Sequence, residues 1–404
     1  MFKRVKRSKL EPGMFLVKYG QGTKESPVVY LERPVLTLDA IDAIVPAWVP
    51  EVVIDDALTI AVINSTYRRE KAVAPDKIKR PVVPLAEELP VAQKLYEEAV
   101  EHAHCFMEEV RRGKEIDCRE AFPIVDGFIG SVFRNESAAA MLFHLKEYDA
   151  YTYTHSINVG VLAIILGKYL ELGKDNLRML GMAGLFHDVG KARIPEEILN
   201  KPAKLNPREH QVIKTHPIEG YRIIEAQAGL DPNVMRGVIE HHERYDGTGY
   251  PRGLSGGEIG LFGRVLSIVD VYDALTSKRA YKNAMPAFNA LGMMYQWRDT
   301  TFCPTGVEHF IKCIGVYPNG SFVKLSNGCH AITIDNSGEN AARPKVRILF
   351  DAAMRPVPKT EIDLAKEDVD HGLHIIECLD PADYRMDLTR VLEPDKTAPE
   401  IVSA

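Results

Sequence analysis

No stretch of about 18 uninterrupted apolar residues occurs in the 404-residue chain, so no membrane-spanning helix is expected. The basic start, Met1 to Leu10, does not lead into an apolar segment of the kind a secretory leader carries. Glu11-Pro12-Gly13 follows instead, and no cleaved leader is expected. Paired cysteine spacing is missing as well. Cys105, Cys118, Cys303, Cys313, Cys329 and Cys378 are scattered without a CxxC, which reads as reduced thiols in a cytoplasmic protein. There is no excess of positive charge either. A net charge of -6 and a pI near 6.1 argue against a nucleic-acid polymer as partner, although a local basic pocket could still take a small nucleotide.

What is present fits a soluble globular protein of two or three domains, with 46% apolar and 26% charged residues. Residues 1–80 read as a small α/β module. Met14 to Val17, Pro27 to Leu31 and Glu51 to Asp55 are strand-like, and Asp39 opens a short apolar-periodic helix through Val45. The acidic pair Asp55-Asp56 invites a phosphoacceptor reading, but no third aspartate and lysine follow on later strands, and a strand ending in a turn is the simpler account. Residues 81–118 are expected to hold a linker and a helix. The linker is the Pro-rich, charged stretch Lys71 to Pro90, and the helix runs from Ala92 to Lys114. After about Tyr317 the character changes again. Phe322 to Leu325 and Ala331 to Ile334 flank Ser326-Asn327-Gly328 as a hairpin, with Lys345 to Phe350 as a further strand and a frayed tail beyond Pro394. His102, His104, His144, His210, His309, His330, His371 and His374 read as solvated or capping groups.

Between these flanks the chemistry gathers. The apolar run Met179 to Phe186 delivers His187 and Asp188 side by side, and Gly190 is expected to end that helix. His155 lies near the start of an apolar helix, Thr154 to Leu170. Pro217 suits a first helical turn and sets His216 at its edge. Val234 to Glu243 ends in His241-His242-Glu243, and the apolar helix Arg264 to Ser277 would bury Asp270. A buried carboxylate is costly, and clustered histidines are explained as ligands, so a shared metal centre accounts for all of them. Seven residues are too many for one ion. With Asp188 bridging, His155, His187, Asp188 and Asp270 serve one metal while Asp188, His216, His241 and His242 serve a second.

These residues fall in ordered motifs: Thr154-His155-Ser156-Ile157-Asn158-Val159, His187-Asp188-Val189-Gly190-Lys191, Lys214-Thr215-His216-Pro217, His241-His242-Glu243, Asp246-Gly247-Thr248-Gly249-Tyr250-Pro251 and Asp270-Val271-Tyr272-Asp273-Ala274-Leu275-Thr276-Ser277. From about Asp149 to Gly315 the chain resembles an HD-GYP domain, a branch of the HD phosphohydrolase superfamily. The N-terminal module resembles the small domain of unknown function that often precedes it. The resemblance implies a multidomain α+β protein. An all-α HD-type bundle over 119–316 would be flanked by the α/β module and by a β-rich extension over 317–404.

It also implies a cytoplasmic, metal-dependent phosphodiesterase that cleaves cyclic di-GMP to pGpG, in some members onward to GMP, and so acts in the signalling behind biofilm and motility. Asp188 and Lys191 would carry catalysis, with Lys191, Arg279 and Lys282 contacting phosphate and Asp273 supporting a ligand from behind. In the Gly249-Tyr250-Pro251 loop, glycines at 247 and 249 permit positive φ and Pro251 holds Tyr250 extended. The family places this loop near substrate, and it is also a candidate surface for a diguanylate cyclase domain. Two other readings stay open: a phosphohydrolase for a different cyclic dinucleotide or nucleotide, and a metal-bound receptor with slow turnover. Some HD-GYP domains bind a third ion through a glutamate four residues before the first histidine. That position here is Tyr151, whose phenol, with a pKa near 10, is a poor ligand at neutral pH, so two ions are expected. The donor set and the resemblance favour iron or manganese, with nickel or zinc as alternatives.

Overall fold

A computed structural model describes residues 2–7, 15–19, 29–34, 49–55, 82–114, 116–142, 151–226, 230–277, 284–336, 342–367 and 372–384. The architecture is α+β: a helical centre, an antiparallel sheet near each end of the chain, and two compact units. One unit comprises Met1–Asp76, Gly167–Ser267 and Asp299–Cys303; the other comprises Lys77–Leu166, Ile268–Arg298 and Pro304–Ala404.

In the first unit, β1 (Phe2–Lys6), β2 (Phe15–Tyr19), β3 (Val29–Pro34) and β4 (Glu51–Asp55) form an antiparallel sheet in the order β1-β4-β2-β3. Strand β1 was not expected from its sequence, because Lys3, Arg4 and Lys6 break the apolar pattern. It lies at the sheet's edge, where charged residues are tolerated. The helix expected over Asp39 to Val45 lies outside the described residues.

The second unit opens with α1 (Leu85–Arg111), which begins seven residues earlier than its apolar periodicity predicts. Pro90 suggested a linker there, but it sits inside the helix, where a proline costs about 3 kcal/mol. Tertiary contacts offset that cost. Leu85 and Leu89 pack against a core cluster containing Phe322 and Leu349, and Glu88, 1% exposed, takes a two-pronged ion pair from Arg134 at 2.7 and 2.9 Å. The helix then buries Ala92, Tyr96, Ala99, Phe106, Met107 and Val110 along one stripe. It packs on α2 (Phe122–Arg134) and α3 (Glu136–Met141), the latter capped by Asn135, whose side chain accepts from Ser137 and Ala138 N–H.

The helices around the chemistry follow in chain order. They are α4 (Tyr151–Tyr169), α5 (Lys174–Phe186), the short α6 (Glu196–Leu199) and α7 (Pro207–Ile213), α8 (His216–Glu225), α9 (Pro232–Glu240) and α10 (Leu261–Thr276). Asp231 caps α9 and Asn206 caps α7. In the first unit α5 packs closely on α9. A Cβ on Gly237 would stand only 3.0 Å from Ala183 Cβ and 3.1 Å from Leu266 Cδ1. After α11 (Ala287–Gln296) and α12 (Pro304–Ile314), the second unit closes with β5 (Phe322–Leu325), β6 (His330–Asp335), β7 (Lys345–Phe350), β8 (Pro356–Asp363) and β9 (Ile375–Leu379), antiparallel in the order β8-β7-β6-β5-β9. The β5–β6 hairpin turns on Gly328 at φ +84°, as the Ser326-Asn327-Gly328 signal predicts. In this sheet β8 and β9 were not expected from the sequence. In β8, Pro356 and Pro358 argue against a strand, yet at a sheet edge their missing donors cost little. His330 is also a correction: it is 5% exposed, stacked on Phe322, rather than solvated.

Candidate metal centre

Three histidines of the first unit are built the same way. His187 follows the last residue of α5, His216 opens α8, and His241 follows the last residue of α9. Each turns its Nδ1 onto the carbonyl three residues back: Gly184 O at 2.7 Å, Ile213 O at 2.9 Å and Val238 O at 2.7 Å. A carbonyl can only accept, so Nδ1 carries the proton and Nε2 is left with its lone pair. The three Nε2 atoms converge on Asp188. Oδ2 lies 3.2 Å from His187 Nε2, and Oδ1 lies 3.2 Å from His216 Nε2 and 3.9 Å from His241 Nε2. His242 completes the group, its ring centroid 4.1 Å from that of His241. One donor atom from each of Asp188, His216, His241 and His242 falls within 4.8 Å of the others.

The electrostatics of this cluster call for a cation. Burial, reinforced by neighbouring His242, His187 and His216, holds the His241 imidazole well below its ordinary pKa, so its Nε2 is an unprotonated lone pair at neutral pH. That atom faces His216 Nε2 at 3.2 Å. Burial would raise the Asp188 carboxyl, but the polar histidine surroundings and the Lys191 ammonium outweigh it and keep the group ionised. Neutral imidazoles converging on a buried carboxylate, each with its far nitrogen fixed by a carbonyl, are the donor set and the orientation that a divalent metal takes.

The second unit holds the remaining expected ligands. His155 on α4 is 3% exposed, with Nδ1 2.8 Å from Asp273 Oδ2 and Nε2 3.1 Å from Asp270 Oδ1, both on α10. Burial lowers its pKa, but hydrogen bonds with Asp270 and Asp273 dominate and raise it to about 9. Asp273 therefore sits behind His155. Its other contacts were not foreseen: Ser277 Oγ donates to Oδ2 at 2.9 Å, and Asn158 Nδ2 donates to Oδ1 at 2.8 Å. Asn158 in turn accepts from Tyr96 Oη at 2.9 Å. The position of Asn158, three residues past His155 and so on the same helix face, was the available signal. Tyr96, 62 residues away in sequence, had none.

Helix ends differ from expectation in a consistent way. Helix α5 stops at Phe186 and α9 at Glu240, so His187, Asp188, His241 and His242 lie just past helix ends, where the chain can turn their side chains together. Gly190 does not end a helix. It sits in a tight turn, Val189–Arg193, where a Cβ would come within 1.9 Å of His216 O and 2.4 Å of Gly220 N. The missing side chain lets the start of α8 lie against this turn and brings His216 beside Asp188. Lys191, from the same turn, extends its Nζ to Asp188 Oδ2.

The loop Gly247–Pro251 borders this cluster. The Tyr250 ring centroid lies 4.8 Å from that of the His242 ring and 5.1 Å from Lys214 Nζ, and the Tyr250–Pro251 peptide is cis. Gly247 has φ +81°, as expected, but Gly249 does not take a positive φ. It is needed for close approach, since a Cβ there would meet Arg244 N at 2.2 Å and Glu243 Cα at 2.5 Å. Two carboxylates to which the sequence reading gave no role tie the loop down. Glu243 accepts from Arg252 and Leu254 N–H at 2.7 and 2.9 Å, and the fully buried Glu240 takes Arg252 Nη2 at 2.6 Å and Gly260 N–H at 2.6 Å. Arg279 and Lys282 lie outside the described residues, as does the side chain of Tyr151. A cavity of about 290 Å³ in the second unit is lined by Leu162, Tyr272, Asp273, Phe322, Asn336 and Leu379 among others. None of the seven expected ligands reaches it.

Comparison with known proteins bears on this centre. The HD domain profile matches residues 137–305, which contain all seven expected ligands. The chain is 37% identical over 285 residues to a protein named cyclic di-GMP phosphodiesterase PA4108 of Pseudomonas aeruginosa, covering 70% of this chain and 69% of that protein. This chain belongs to the HD-domain family. Flanking the HD domain, a domain of unknown function (DUF3391) matches residues 2–121, and a KOW domain associated with HD domains matches residues 322–386. The cyclic di-GMP phosphodiesterase response regulator RpfG of Xanthomonas campestris is 38% identical over 181 residues, 44% of this chain and 48% of that protein. A 3'3'-cGAMP-specific phosphodiesterase of Vibrio cholerae is 40% identical over 144 residues, 36% of this chain and 33% of that one.

Proposed function

We propose that this HD-domain protein is a metal-dependent phosphodiesterase that hydrolyses cyclic di-GMP to pGpG. The observation that carries the reading is the convergence of Nε2 atoms on Asp188, with His187, His216 and His241 each locked through Nδ1 to a main-chain carbonyl. We assign two divalent ions, iron or manganese in preference to nickel or zinc. Asp188, His216, His241 and His242 take one, and His155, His187, Asp188 and Asp270 take the other. Bound there, such ions supply the Lewis-acid charge that phosphodiester hydrolysis needs.

The chain's own residues do the rest. Lys191 balances the charge of Asp188 and offers its ammonium to a non-bridging phosphate oxygen. Arg279 and Lys282 contact the phosphates, and Tyr250, seated on His242 within Gly249-Tyr250-Pro251, positions substrate at the metal edge. The same loop offers a surface to a diguanylate cyclase domain. We take 119–316 as the catalytic region, 1–80 and 317–404 as its flanking modules, and the cytoplasm, where a cyclic dinucleotide messenger acts, as its location. Among the described residues no helix is long and apolar enough to cross a membrane.

A second reading, hydrolysis of a mixed cyclic dinucleotide, is favoured by the 40% identity to the Vibrio cholerae protein over 144 residues. Product chromatography decides between them. Metal-loaded protein incubated separately with cyclic di-GMP, cyclic di-AMP and 3'3'-cGAMP is expected to turn over cyclic di-GMP fastest. Asp188→Ala is expected to lose both activity and bound metal. Preference for another dinucleotide would transfer the assignment to it, and an Asp188→Ala protein with full metal and rate would end it.

A further inference from the structure

A hydrogen-bonded chain in the second unit runs from α1 to His155. Tyr96 Oη donates to Asn158 Oδ1 at 2.9 Å, Asn158 Nδ2 donates to Asp273 Oδ1 at 2.8 Å, and Asp273 Oδ2 lies 2.8 Å from His155 Nδ1. The direction of every bond is fixed by chemistry. An ionised carboxylate only accepts, so the Asn158 amide must turn its NH₂ to Asp273, which leaves its carbonyl oxygen for a donor. Among the described residues that donor is the Tyr96 phenol. Burial, with the charge of Asp273, pushes the phenol pKa up and keeps its proton in place. Tyr96 is 3% exposed, Asn158 and Asp273 no more than 1%, so water does not readily substitute for any link.

The chain crosses a boundary between two family profiles. Tyr96 lies inside residues 2–121, matched by the domain of unknown function, whereas Asn158, Asp273 and His155 lie inside residues 137–305, matched by the HD domain. We infer that Tyr96 is a positioning residue of the metal centre. The helix carrying it, although counted with the N-terminal domain, completes the support of His155. The proposal rests on the reading of His155 as a metal ligand. In a ligating histidine the group bound to the far ring nitrogen sets the ring's orientation and basicity. Here that group is Asp273, and Asp273 is held in turn by Asn158 and Ser277. A change in the position of α1 would therefore reach a ligand directly, giving the N-terminal domain a route to the metal.

The test is metal affinity, measured on the full chain by competition with a chelator of known affinity using manganese or ferrous iron, and a kcat against KM comparison. Tyr96→Phe keeps the ring and removes one hydroxyl. It is expected to weaken metal binding by about ten- to hundredfold and to lower kcat while leaving KM nearly unchanged. Val110→Ala, a buried truncation on the same helix without a polar link, controls for general loss of stability and is expected to leave metal affinity as it was. His155→Ala separates the two claims. If it keeps full metal, the ligand assignment itself fails. If it loses metal while Tyr96→Phe binds as wild type does, or if Val110→Ala weakens binding as much as Tyr96→Phe, the role given to Tyr96 is wrong and the assignment of His155 stands.

Discussion

A histidine becomes a reliable ligand when its second nitrogen is spoken for. His187, His216 and His241 use main-chain carbonyls for this, and His155 uses a carboxylate. The carbonyl leaves the ring neutral and the carboxylate makes it more basic, so the two sets differ in donor strength. Lys191 is the residue whose role is most open to measurement, because it touches Asp188 without being a ligand. Lys191→Ala should retain metal and lose about 1.5 to 3 kcal/mol of transition-state stabilisation, the worth of one charged hydrogen bond. A kcat/KM unchanged from wild type, with metal content verified, would remove Lys191 from the site. The clustering of these side chains was legible in the sequence because burying His and Asp needs a reason, and His187-Asp188 and His241-His242 advertise it by adjacency. Their supports, Asp273 of the family motif apart, were not. A carbonyl partner leaves no trace in residue identity, and Tyr96 and Asn158 are ordinary members of apolar helices until folding brings them together.

At the scale of elements, the site depends on backbones that approach closely. Gly190 and Gly249 were noticed as turn formers, but their decisive property is lack of volume. Gly190→Ala would drive a methyl into the carbonyl of His216 and part the turn from α8. It is expected to lower metal content and activity together, and to lower the melting temperature more than Gly247→Ala does. A Gly190→Ala protein with wild-type metal content would show that the turn can yield without moving His216. Element boundaries followed a similar rule. Proline at 90 led the sequence reading to expect a linker, and there, as at Pro356 and Pro358 in β8, tertiary position overrode propensity. A second-turn proline is held by the Glu88–Arg134 pair, and an edge strand needs no donors on its outer side. The Ser326-Asn327-Gly328 hairpin was legible because its turn chemistry is local.

At the scale of the whole molecule, the HD domain carries the chemistry, with distinct domains before and after it in the chain. The α+β class was legible from the switch between helical and alternating periodicity, whereas the assignment of α1 to one functional region was not, because no local pattern records a contact 62 residues away. The number of metal ions decides whether the centre works as assigned. Seven ligands with Asp188 shared between ions, and a tyrosine at 151, predict two. The direct measurement is a titration of manganese or ferrous iron, under anaerobic conditions, into the chelator-treated 404-residue chain while pGpG formation from cyclic di-GMP is followed. Activity is expected to be negligible without metal, to rise to its plateau at two equivalents per chain, and to yield pGpG as the end product. Full activity in the metal-free protein, a plateau at one equivalent, or a requirement for a third would contradict the account.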